Sequence, residues 1–447
     1  MKSDSKAAIP VVAAPALWWG NPLVWRIAWG RFFAQIGTGL LFFYIPLIFV
    51  NQLGLSATAV GLSVGLSSLT GVGGHFLGGV LVDSPRFGRK ATLLLSGGLG
   101  VAVSLILAIA TDLFLLVVAS LLLGISVGLY WTAADAALMD VTTAAERHHA
   151  FAIGNLANNM GSGAGIWGGG IFLGLVHDHH QWLFLGCGVV YALFLGLVHQ
   201  TMPETYQPQT EATGILQGLG HALRDRALLV FILANVLFTT YMALVNSTLP
   251  LYFTNFVPAI GPGPGVPSAA TLFSWCYIGL GAVLQIPVAS WFNGLPRVRI
   301  LMVALLLWAV GFGLVWLAGT GLPGQLAWSV LSLGWLALGA VIYAPFAAAI
   351  VAELAPPDVR GAYVAVSSQC WAIGYFVGPV VGGWAMDQGA AIAQQFWLWV
   401  CGSTLVGFGV LLWFSRIYRL SLRGAIATAP TDSSSALPTS LGQEASH

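Results

Sequence analysis

Ionisable side chains are rare within the long apolar stretches of this chain, so each of them is a candidate for chemistry. Arg31, His75, Asp135 and Asp140 lie inside such stretches or at their ends. A charge within hydrocarbon is costly, and it normally faces a water-filled cavity or a charged partner. Carboxylate and imidazole groups in such a cavity can take up and release protons. These residues are therefore the first candidates for proton coupling or ion pairing.

Each of the coupling candidates also has a structural alternative. Arg31 is one helical turn before Gln35 and shares a face with it. Arg31 either lines a cavity or extends its guanidinium to the membrane surface. His75 either exchanges protons near neutral pH or packs among neighbouring glycines. Asp135 and Asp140 point to different sides of one helix, and Asp135 is either the site of proton or cation coupling or half of a structural salt bridge.

The composition is that of a polytopic membrane protein, with 57% hydrophobic and 7% charged residues. A helix needs about 20 apolar residues to cross the hydrocarbon, and no segment shows the period-two alternation of a transmembrane barrel. The sequence therefore predicts an all-α protein. Twelve transmembrane helices are expected at 24–50, 57–82, 91–111, 113–139, 150–175, 181–200, 228–254, 268–292, 299–319, 325–351, 361–386 and 395–416.

The positive charges predict the orientation, because Lys and Arg near helix ends stay in the cytoplasm. None of the 16 Lys and Arg falls in the loops that alternate crossing would place outside. Both termini are expected in the cytoplasm, and the chain is expected in the inner (plasma) membrane. The predicted organisation is a cytoplasmic segment 1–23, a six-helix bundle 24–200, a cytoplasmic linker 201–227, a second six-helix bundle 228–416 and a disordered cytoplasmic tail 417–447.

A repeated glycine pattern indicates an internal duplication. Counting from Arg147, glycines stand at +14, +18 and +22, and the same offsets recur after Arg360. Glycine at every fourth position clears one helix face for close packing in a membrane. A Pro-x4-Asn pattern at 46–51 also recurs at 250–255. The predicted packing glycines are Gly161, Gly165, Gly169, Gly374, Gly378 and Gly382.

The charged connector 79–90 (G-V-L-V-D-S-P-R-F-G-R-K) and the segment 374–383 (G-Y-F-V-G-P-V-V-G-G) resemble motifs of the major facilitator superfamily, in particular its drug:proton antiporter branch. The segment 353–363 (E-L-A-P-P-D-V-R-G-A-Y) is also similar to that branch, and the whole resemblance covers residues 25–416. It implies two parallel six-helix halves that rock around a substrate site near the midplane.

The resemblance further implies that the connector is a conformational latch on the cytoplasmic side. Asp83 would face the positive N-terminal end of the helix that begins near Gly361, and Arg86 or Arg89 would pair with Asp140. The residues assigned to this latch are Gly79, Asp83, Arg86, Gly88, Arg89, Lys90 and Asp140.

Three features depart from the family's pattern. Ser-Pro at 84–85 lengthens the connector by two residues. The corresponding segment 293–299 of the second half keeps two arginines but has no acid, so the latch is expected on one side only. Ser120 stands where many drug:proton antiporters have an intramembrane Arg. The remaining proton-coupling candidates are Asp135, His75 and Arg31.

The substrate cavity is expected to have large apolar walls with few polar groups, which suits lipophilic ligands. Aromatic residues in membrane helices also pack or sit at the interface, so fewer than half of the candidates are expected to touch substrate. The candidates are Gln35, Tyr44, Tyr130, Trp131, Asn158, Tyr241, Asn246, Trp275, Tyr277, Tyr343, Gln369 and Trp371, with Asn155, Asn159 and Gln285 as further polar partners.

These features predict a secondary transporter rather than an enzyme. The chain has no G-x4-G-K-[ST] loop, so transport is expected to use gradients and no cofactor. The leading prediction is a monomeric, proton-coupled exporter of lipophilic or amphipathic small molecules that works by alternating access. The alternatives are a carrier for a neutral metabolite, such as a sugar or amino acid derivative, and a non-transporting membrane sensor or enzyme. The net charge of +1 indicates no nucleic-acid partner.

One polar loop is a separate case. His177-Asp178-His179-His180 either binds a divalent metal or is simply polar. No resident metal is predicted.

Overall fold

The computed structural model describes residues 21–143, 146–176, 179–206, 215–261, 268–292, 295–356 and 359–427. Within these ranges the chain is helical and contains no strand, as predicted. The helices are α1 (Pro22–Asn51), α2 (Ala57–Val82), α3 (Gly88–Ile109), α4 (Leu113–Asp140), α5 (Arg147–Leu175), α6 (His180–Thr201), α7 (Ile215–Ala222), α8 (Arg226–Ala243), α9 (Leu249–Phe256), α10 (Ala269–Leu272), α11 (Leu280–Trp291), α12 (Arg297–Ala318), α13 (Gln325–Leu354), α14 (Arg360–Asp387) and α15 (Ala390–Ala427).

Two π-helical segments join neighbouring helices. Leu244–Thr248 connects α8 to α9, and Phe273–Gly279 connects α10 to α11. Because a π-helical turn inserts an extra residue and is frequent at functional sites, these two segments mark places where the second half departs from regular helix.

Ten helices among the described residues are long and apolar enough to cross a membrane. The other two predicted spans correspond to α5 and to the segment 269–291. Glycine and asparagine lower the hydropathy of α5, and the described apolar helix within 269–291 is the shorter Ala269–Gln285. The last helix also differs from the prediction, since α15 continues to Ala427 and residues 417–427 of the expected disordered tail are helical.

Polar side chains fix where several helices begin. The Ser56 hydroxyl accepts a hydrogen bond from the amide of Ala59 at 3.2 Å. The Asp112 carboxylate accepts one from the amide of Leu115 at 2.9 Å. Such N-caps satisfy amides that have no partner within the helix, so a short polar residue ends each of these loops and starts the apolar helix that follows.

Both glycine stripes lie in helix contacts, and the contacts correspond between the halves. A Cβ at Gly161 of α5 would lie 2.3 Å from the carbonyl oxygen of Phe32 in α1. A Cβ at Gly374 of α14 would lie 2.2 Å from the hydroxyl oxygen of Thr239 in α8. Glycine is therefore required for these close approaches. The pairing of α5 with α1 repeats in the pairing of α14 with α8.

The repeated asparagines meet each other. The amide nitrogen of Asn51 donates to the side-chain oxygen of Asn255 at 2.9 Å, and the amide of Asn255 donates back to Asn51 at 2.9 Å. Equivalent residues of the two halves are thus in direct contact at the ends of α1 and α9.

The connectors define two ends of the molecule. We call the end that carries residues 202–206, which begin the linker between the halves, the linker face, and the opposite end the far face. The linker face carries 83–87, 141–143, 202–206, 295–296 and 355–356, and the far face carries 52–56, 110–112, 257–261, 319–324 and 388–389.

Helices α2 and α14 join the two halves, and they pack closely toward the far face. A Cβ at Gly61 would lie 2.0 Å from the carbonyl oxygen of Pro379. About midway along both helices, the Ser68 hydroxyl donates to the carbonyl oxygen of Ala372 at 2.9 Å. The halves are therefore in contact from the middle of these helices to the far face.

The same two helices separate toward the linker face. His75 lies two turns from Ser68 on the same face of α2, and Gln369 lies close to Ala372 on α14, yet both side chains are exposed. A Cβ at Gly79 or at Gly361 would meet no described atom within 4 Å. The space between α2 and α14 therefore opens at the linker face and closes toward the far face. We call this space the cleft.

Candidate functional site

Arg31 and Asp135 form an ion pair between α1 and α4. An Arg31 Nη atom lies 2.5 Å from Asp135 Oδ1, and the side chains are 1% and 41% exposed respectively. Arg31 lies nine residues into α1, which corresponds to a depth of about 13 Å. The alternative in which Arg31 extends to the membrane surface is wrong. A buried cation is instead held by a carboxylate that keeps contact with solvent.

Buried polar groups surround the arginine. Arg31 Nε, the amide nitrogen of Gln35 and the amide oxygen of Asn158 are buried and have no hydrogen-bond partner within the described part of the chain. Gln35 also lies beside the hydroxyl of Tyr130. A Cβ at Gly154, one turn before Asn158, would lie 3.3 Å from Arg31 Cδ, so α5 closes over the guanidinium. Together with Asp135, the structure therefore brings five predicted residues from α1, α4 and α5 into one cluster.

His75 lies on the cleft side of this cluster. Its Nδ1 is 3.1 Å from the Thr132 hydroxyl on α4, and it is within electrostatic reach of Asp135. The side chain is exposed, so the alternative that packed it among glycines is wrong. The three coupling candidates thus occupy one region between α1, α2 and α4.

The corresponding place in the second half is neutral. Asn235 of α8 stands at the same distance before the Pro-x4-Asn pattern as Arg31 does in α1. The Tyr343 hydroxyl donates to Asn235 Oδ1 at 2.5 Å, and its ring stacks on Phe238 at 4.7 Å. A tyrosine–asparagine hydrogen bond therefore replaces the ion pair. Asn235 was missed because nothing in its local sequence marks it.

Three predicted cavity residues belong to the helix packing instead. The Tyr44 hydroxyl donates to the carbonyl oxygen of Ile166 at 2.7 Å. The Tyr241 hydroxyl is 2.7 Å from that of Ser403. These two rings and that of Tyr343 are buried, so the assignment of these three tyrosines to the cavity wall is wrong.

The other cavity candidates differ in their exposure and contacts. Gln369 and Trp371 are exposed on the part of α14 that borders the cleft, and Trp275 is exposed beside Trp167, with ring centroids 5.9 Å apart. Asn246, in the first π-helical segment, donates to the Tyr375 hydroxyl at 3.1 Å. The remaining candidates, Trp131 and Tyr277, are half-buried and buried.

Two of the predicted polar partners connect the halves. The Asn159 amide nitrogen donates to the Gln285 side-chain oxygen at 3.2 Å, joining α5 to α11.

At the linker face, Arg89 rather than Arg86 reaches Asp140. Arg89 Nε is 2.8 Å from Asp140 Oδ2, and Arg89 Nη1 is 3.6 Å from Asp83 Oδ1. Arg89 also donates to the carbonyl oxygen of Val82 at 2.7 Å. The connector is thus tied to the end of α4.

Asp83 does not contact α14 in this state. Its side chain is 72% exposed and lies beside Arg89 of its own half. No described hydrogen bond joins it to the start of α14 near Gly361. The expected contact is missing because α2 and α14 separate toward the linker face.

Sequence reasoning also missed the residue that supports the connector. Glu204, after α6, accepts hydrogen bonds from the amides of Arg89 at 2.9 Å and Lys90 at 3.1 Å. A carboxylate is favoured at such a helix start. Gly88 adopts φ +69°, and a Cβ there would lie 2.5 Å from the Glu204 carboxyl carbon. The Tyr206 ring lies 5.2 Å from the Arg89 guanidinium.

The expectation of a one-sided latch is wrong. Arg297 Nη1 lies 2.8 Å from Glu353 Oε1 and 2.8 Å from the carbonyl oxygen of Ala349. The Tyr418 hydroxyl also hydrogen-bonds to Glu353. The acid is supplied by the end of α13, as Asp140 is supplied by the end of α4. Each half therefore has an Arg–carboxylate pair at the linker face.

The histidine-rich loop lies partly outside the described residues, because His177 and Asp178 belong to the undescribed positions. His179 precedes α6 without a side-chain cap. Elsewhere in the described structure, no group of His, Cys, Asp and Glu is arranged to hold a metal ion.

Known proteins share this architecture. A sequence model described as Major Facilitator Superfamily matches residues 27–266. The chain is 27% identical to multidrug resistance protein MdtH of Yersinia enterocolitica over 383 residues, which cover 83% of this chain and 90% of that protein. It is 28% identical to the MdtH of Photorhabdus laumondii over 366 residues, which cover 80% and 85%.

Solved transporter structures have the same fold. The nucleoside transporter NupG superposes with a TM-score of 0.72 at 14% identity and covers 89% of this chain and 99% of that chain. A peptide transporter POT in complex with sulfate gives 0.71 at 17% identity and covers 90% and 96%.

The family match spans more than half of the chain, and ten helices in the described part of the chain are long and apolar enough to cross a membrane. The protein is a multi-pass transporter of the inner membrane rather than an enzyme. The chain belongs to the major facilitator superfamily.

Proposed function

We propose that this transporter exports lipophilic or amphipathic compounds in exchange for protons, by alternating access and as a monomer. The relatives with which it shares about a quarter of its residues are named multidrug resistance proteins. The cleft provides a path that is open at one face and closed at the other. Aromatic and uncharged polar side chains border it, which suits substrates held by apolar contact.

We also propose twelve membrane crossings with both termini in the cytoplasm. The ten apolar helices would be completed by α5 and by the segment 269–291. The halves would be residues 24–200 and 228–416, joined by the linker 201–227. The linker face carries the arginines and would lie in the cytoplasm, so the described conformation opens inward.

The ion pair of Arg31 with Asp135 is the observation that supports proton coupling. Asp135 is partly exposed and can exchange a proton with the cleft, whereas Arg31 is buried and stays charged. Protonation of Asp135 would remove the charge that balances a buried cation. Breaking a buried pair in this way is strongly unfavourable, so the state of the carboxyl would alter the packing of α1 against α4.

Neighbouring groups offer the arginine a second partner. The amide oxygen of Asn158 is a buried acceptor without a partner in the described structure. It lies one turn beyond Gly154, which packs beside Arg31. When Asp135 is protonated, Arg31 would turn from α4 toward Asn158 on α5. Uptake of a proton by the Asp135 carboxyl would thereby change the contacts of α1 with α4 and α5.

Transport in inverted membrane vesicles tests this proposal. An imposed pH gradient, acidic inside, should drive uptake of lipophilic dyes by the wild-type protein. Asp135→Asn should abolish gradient-driven uptake while dye binding to the purified protein persists. The matched control is Asp112→Asn, which changes a carboxylate that caps α4 at the far face.

A deletion strain exposed to a panel of lipophilic drugs provides the second readout. The proposal predicts increased sensitivity that wild-type protein restores and Asp135→Asn does not. Unchanged drug sensitivity together with no dye transport would refute multidrug export. Wild-type uptake by the Asp135→Asn variant would refute the coupling role alone.

A further inference from the structure

The first turn of α2 is capped by a carboxylate from the other half of the chain. Asp387 Oδ1 accepts a hydrogen bond from the amide of Ala57 at 2.7 Å, and Oδ2 accepts one from the amide of Thr58 at 2.8 Å. The Thr58 hydroxyl donates to Oδ2 at 2.5 Å. Ser56 supplies the ordinary cap to Ala59. Two of the free amides at this helix start therefore depend on a residue more than 300 positions away.

This contact lies where the halves are closest. Gly383, one turn before Asp387 on α14, approaches α2 so closely that a Cβ would lie 2.2 Å from the carbonyl oxygen of Ala57. The carboxylate is thus held directly over the helix start, where negative charge is favoured. The bonds to it are charge-assisted and stronger than neutral ones.

Helices α2 and α14 are antiparallel, and each ends in an aspartate. Asp83 follows the last residue of α2 at the linker face, and Asp387 is the last residue of α14 at the far face. In the described state Asp387 caps α2, while Asp83 is largely exposed and makes no described bond to α14. At the closed end of the cleft, an aspartate of one half therefore caps a helix of the other half. At the open end, no such contact is described.

We propose that Asp387 is the positioning residue that holds the far face closed, and that opening this face requires release of the α2 amides. Closure at one face would then use Asp387 and closure at the other would use Asp83, so the two carboxylates alternate as transport proceeds. This inference rests on the proposed alternating access. Asp387 would thus close the far face, whereas the connector 79–90 acts only at the linker face.

Accessibility of an engineered cysteine tests the proposal directly. Ser247 lines a small cavity between the halves, together with Gly61 and Pro379, close to the far-face closure. In a background that lacks Cys187, Cys276, Cys370 and Cys401, Ser247→Cys should react slowly with a membrane-impermeant maleimide added to intact cells. Adding Asp387→Asn removes the negative charge and one of the two acceptor oxygens at this helix start, so it should raise the labelling rate on the order of tenfold.

Two further variants separate gating from general damage. Asp112→Asn makes the same neutralising change at a far-face cap that lies within one half, and it should leave the rate unchanged. Thr58→Val removes one donor to Asp387 but keeps both amides, so it should raise the rate less than Asp387→Asn. Size-exclusion profiles in detergent should be the same for all variants.

The labelling rates can either support or refute the role of Asp387. Equal labelling of Asp387→Asn and its parent would overturn the role of Asp387, as would an equal increase in Asp112→Asn. The assay measures opening rather than cargo. Failure of drug transport with the expected labelling would therefore refute the proposed substrate class and leave the gate intact.

Discussion

Neutralising the two members of the intramembrane ion pair should have unequal effects on stability. Asp135→Asn leaves the guanidinium of Arg31 buried without a counter-charge, because the arginine side chain is 1% exposed. Arg31→Gln leaves a carboxylate that is 41% exposed and can be hydrated in place. The aspartate substitution should therefore be the more destabilising of the two.

The magnitude follows from the geometry. Two unit charges 2.5 Å apart attract by about 6 to 7 kcal/mol at an effective dielectric constant near 20. Solvent at Asp135 reduces this attraction, and loss of a partner from a buried pair costs about 3 to 5 kcal/mol. We expect Asp135→Asn to lose about 3 kcal/mol, or about 3 °C in melting temperature for a chain of this size. Arg31→Gln should lose about 1 kcal/mol.

Thermal unfolding in detergent, followed by size-exclusion fluorescence, measures these differences. The double variant Arg31→Gln, Asp135→Asn removes both charges and should recover most of the loss of the aspartate variant. An equal loss in the two single variants, or no recovery in the double variant, would refute the assignment of a buried cation balanced by a solvated carboxylate.

Three other predictions concern the connectors and the helix packing. Arg89→Ala should lower the melting temperature through loss of about 3 kcal/mol, while Arg86→Ala, without a described ion pair, should leave it unchanged; equal values would contradict the assignment of Arg89. Gly161→Ala should abolish folded expression, whereas Gly168→Ala, whose Cβ would meet no described atom within 4 Å, should express normally. Glu353→Gln should cost about 1 kcal/mol, less than Arg89→Ala, because its pair is partly exposed; an unchanged melting temperature would argue against a second latch.

The helices were predictable because apolar length and helix-ending polar residues are local properties of the sequence. The contact of Arg89 with Asp140 could also be predicted from the sequence, since both residues lie at the ends of adjacent predicted helices. The pairing of Arg31 with Asp135 was only one of several possibilities. It depends on how α1 and α4 turn toward each other, which hydropathy does not specify.

The errors have the same physical origin. Tyr241 and Tyr343 were assigned to the cavity because aromatic composition cannot distinguish a helix face that packs from one that lines a cleft. Glu353 was missed as the partner of Arg297 because the acid was sought in the same connector. In the folded chain that acid comes from the end of α13, more than fifty residues later.

The reciprocal amide contact of Asn51 and Asn255 has a consequence for the origin of the chain. In a twofold-symmetric dimer, a residue on the rotation axis meets its own copy, and these two asparagines occupy equivalent places in the two repeats. They therefore mark the pseudo-twofold axis, and a six-helix ancestor would form the same bond between two identical subunits. In a fused chain, the two asparagines can bond to each other just as the two copies did in the dimer. Both copies can therefore retain the asparagine while the surrounding helices diverge.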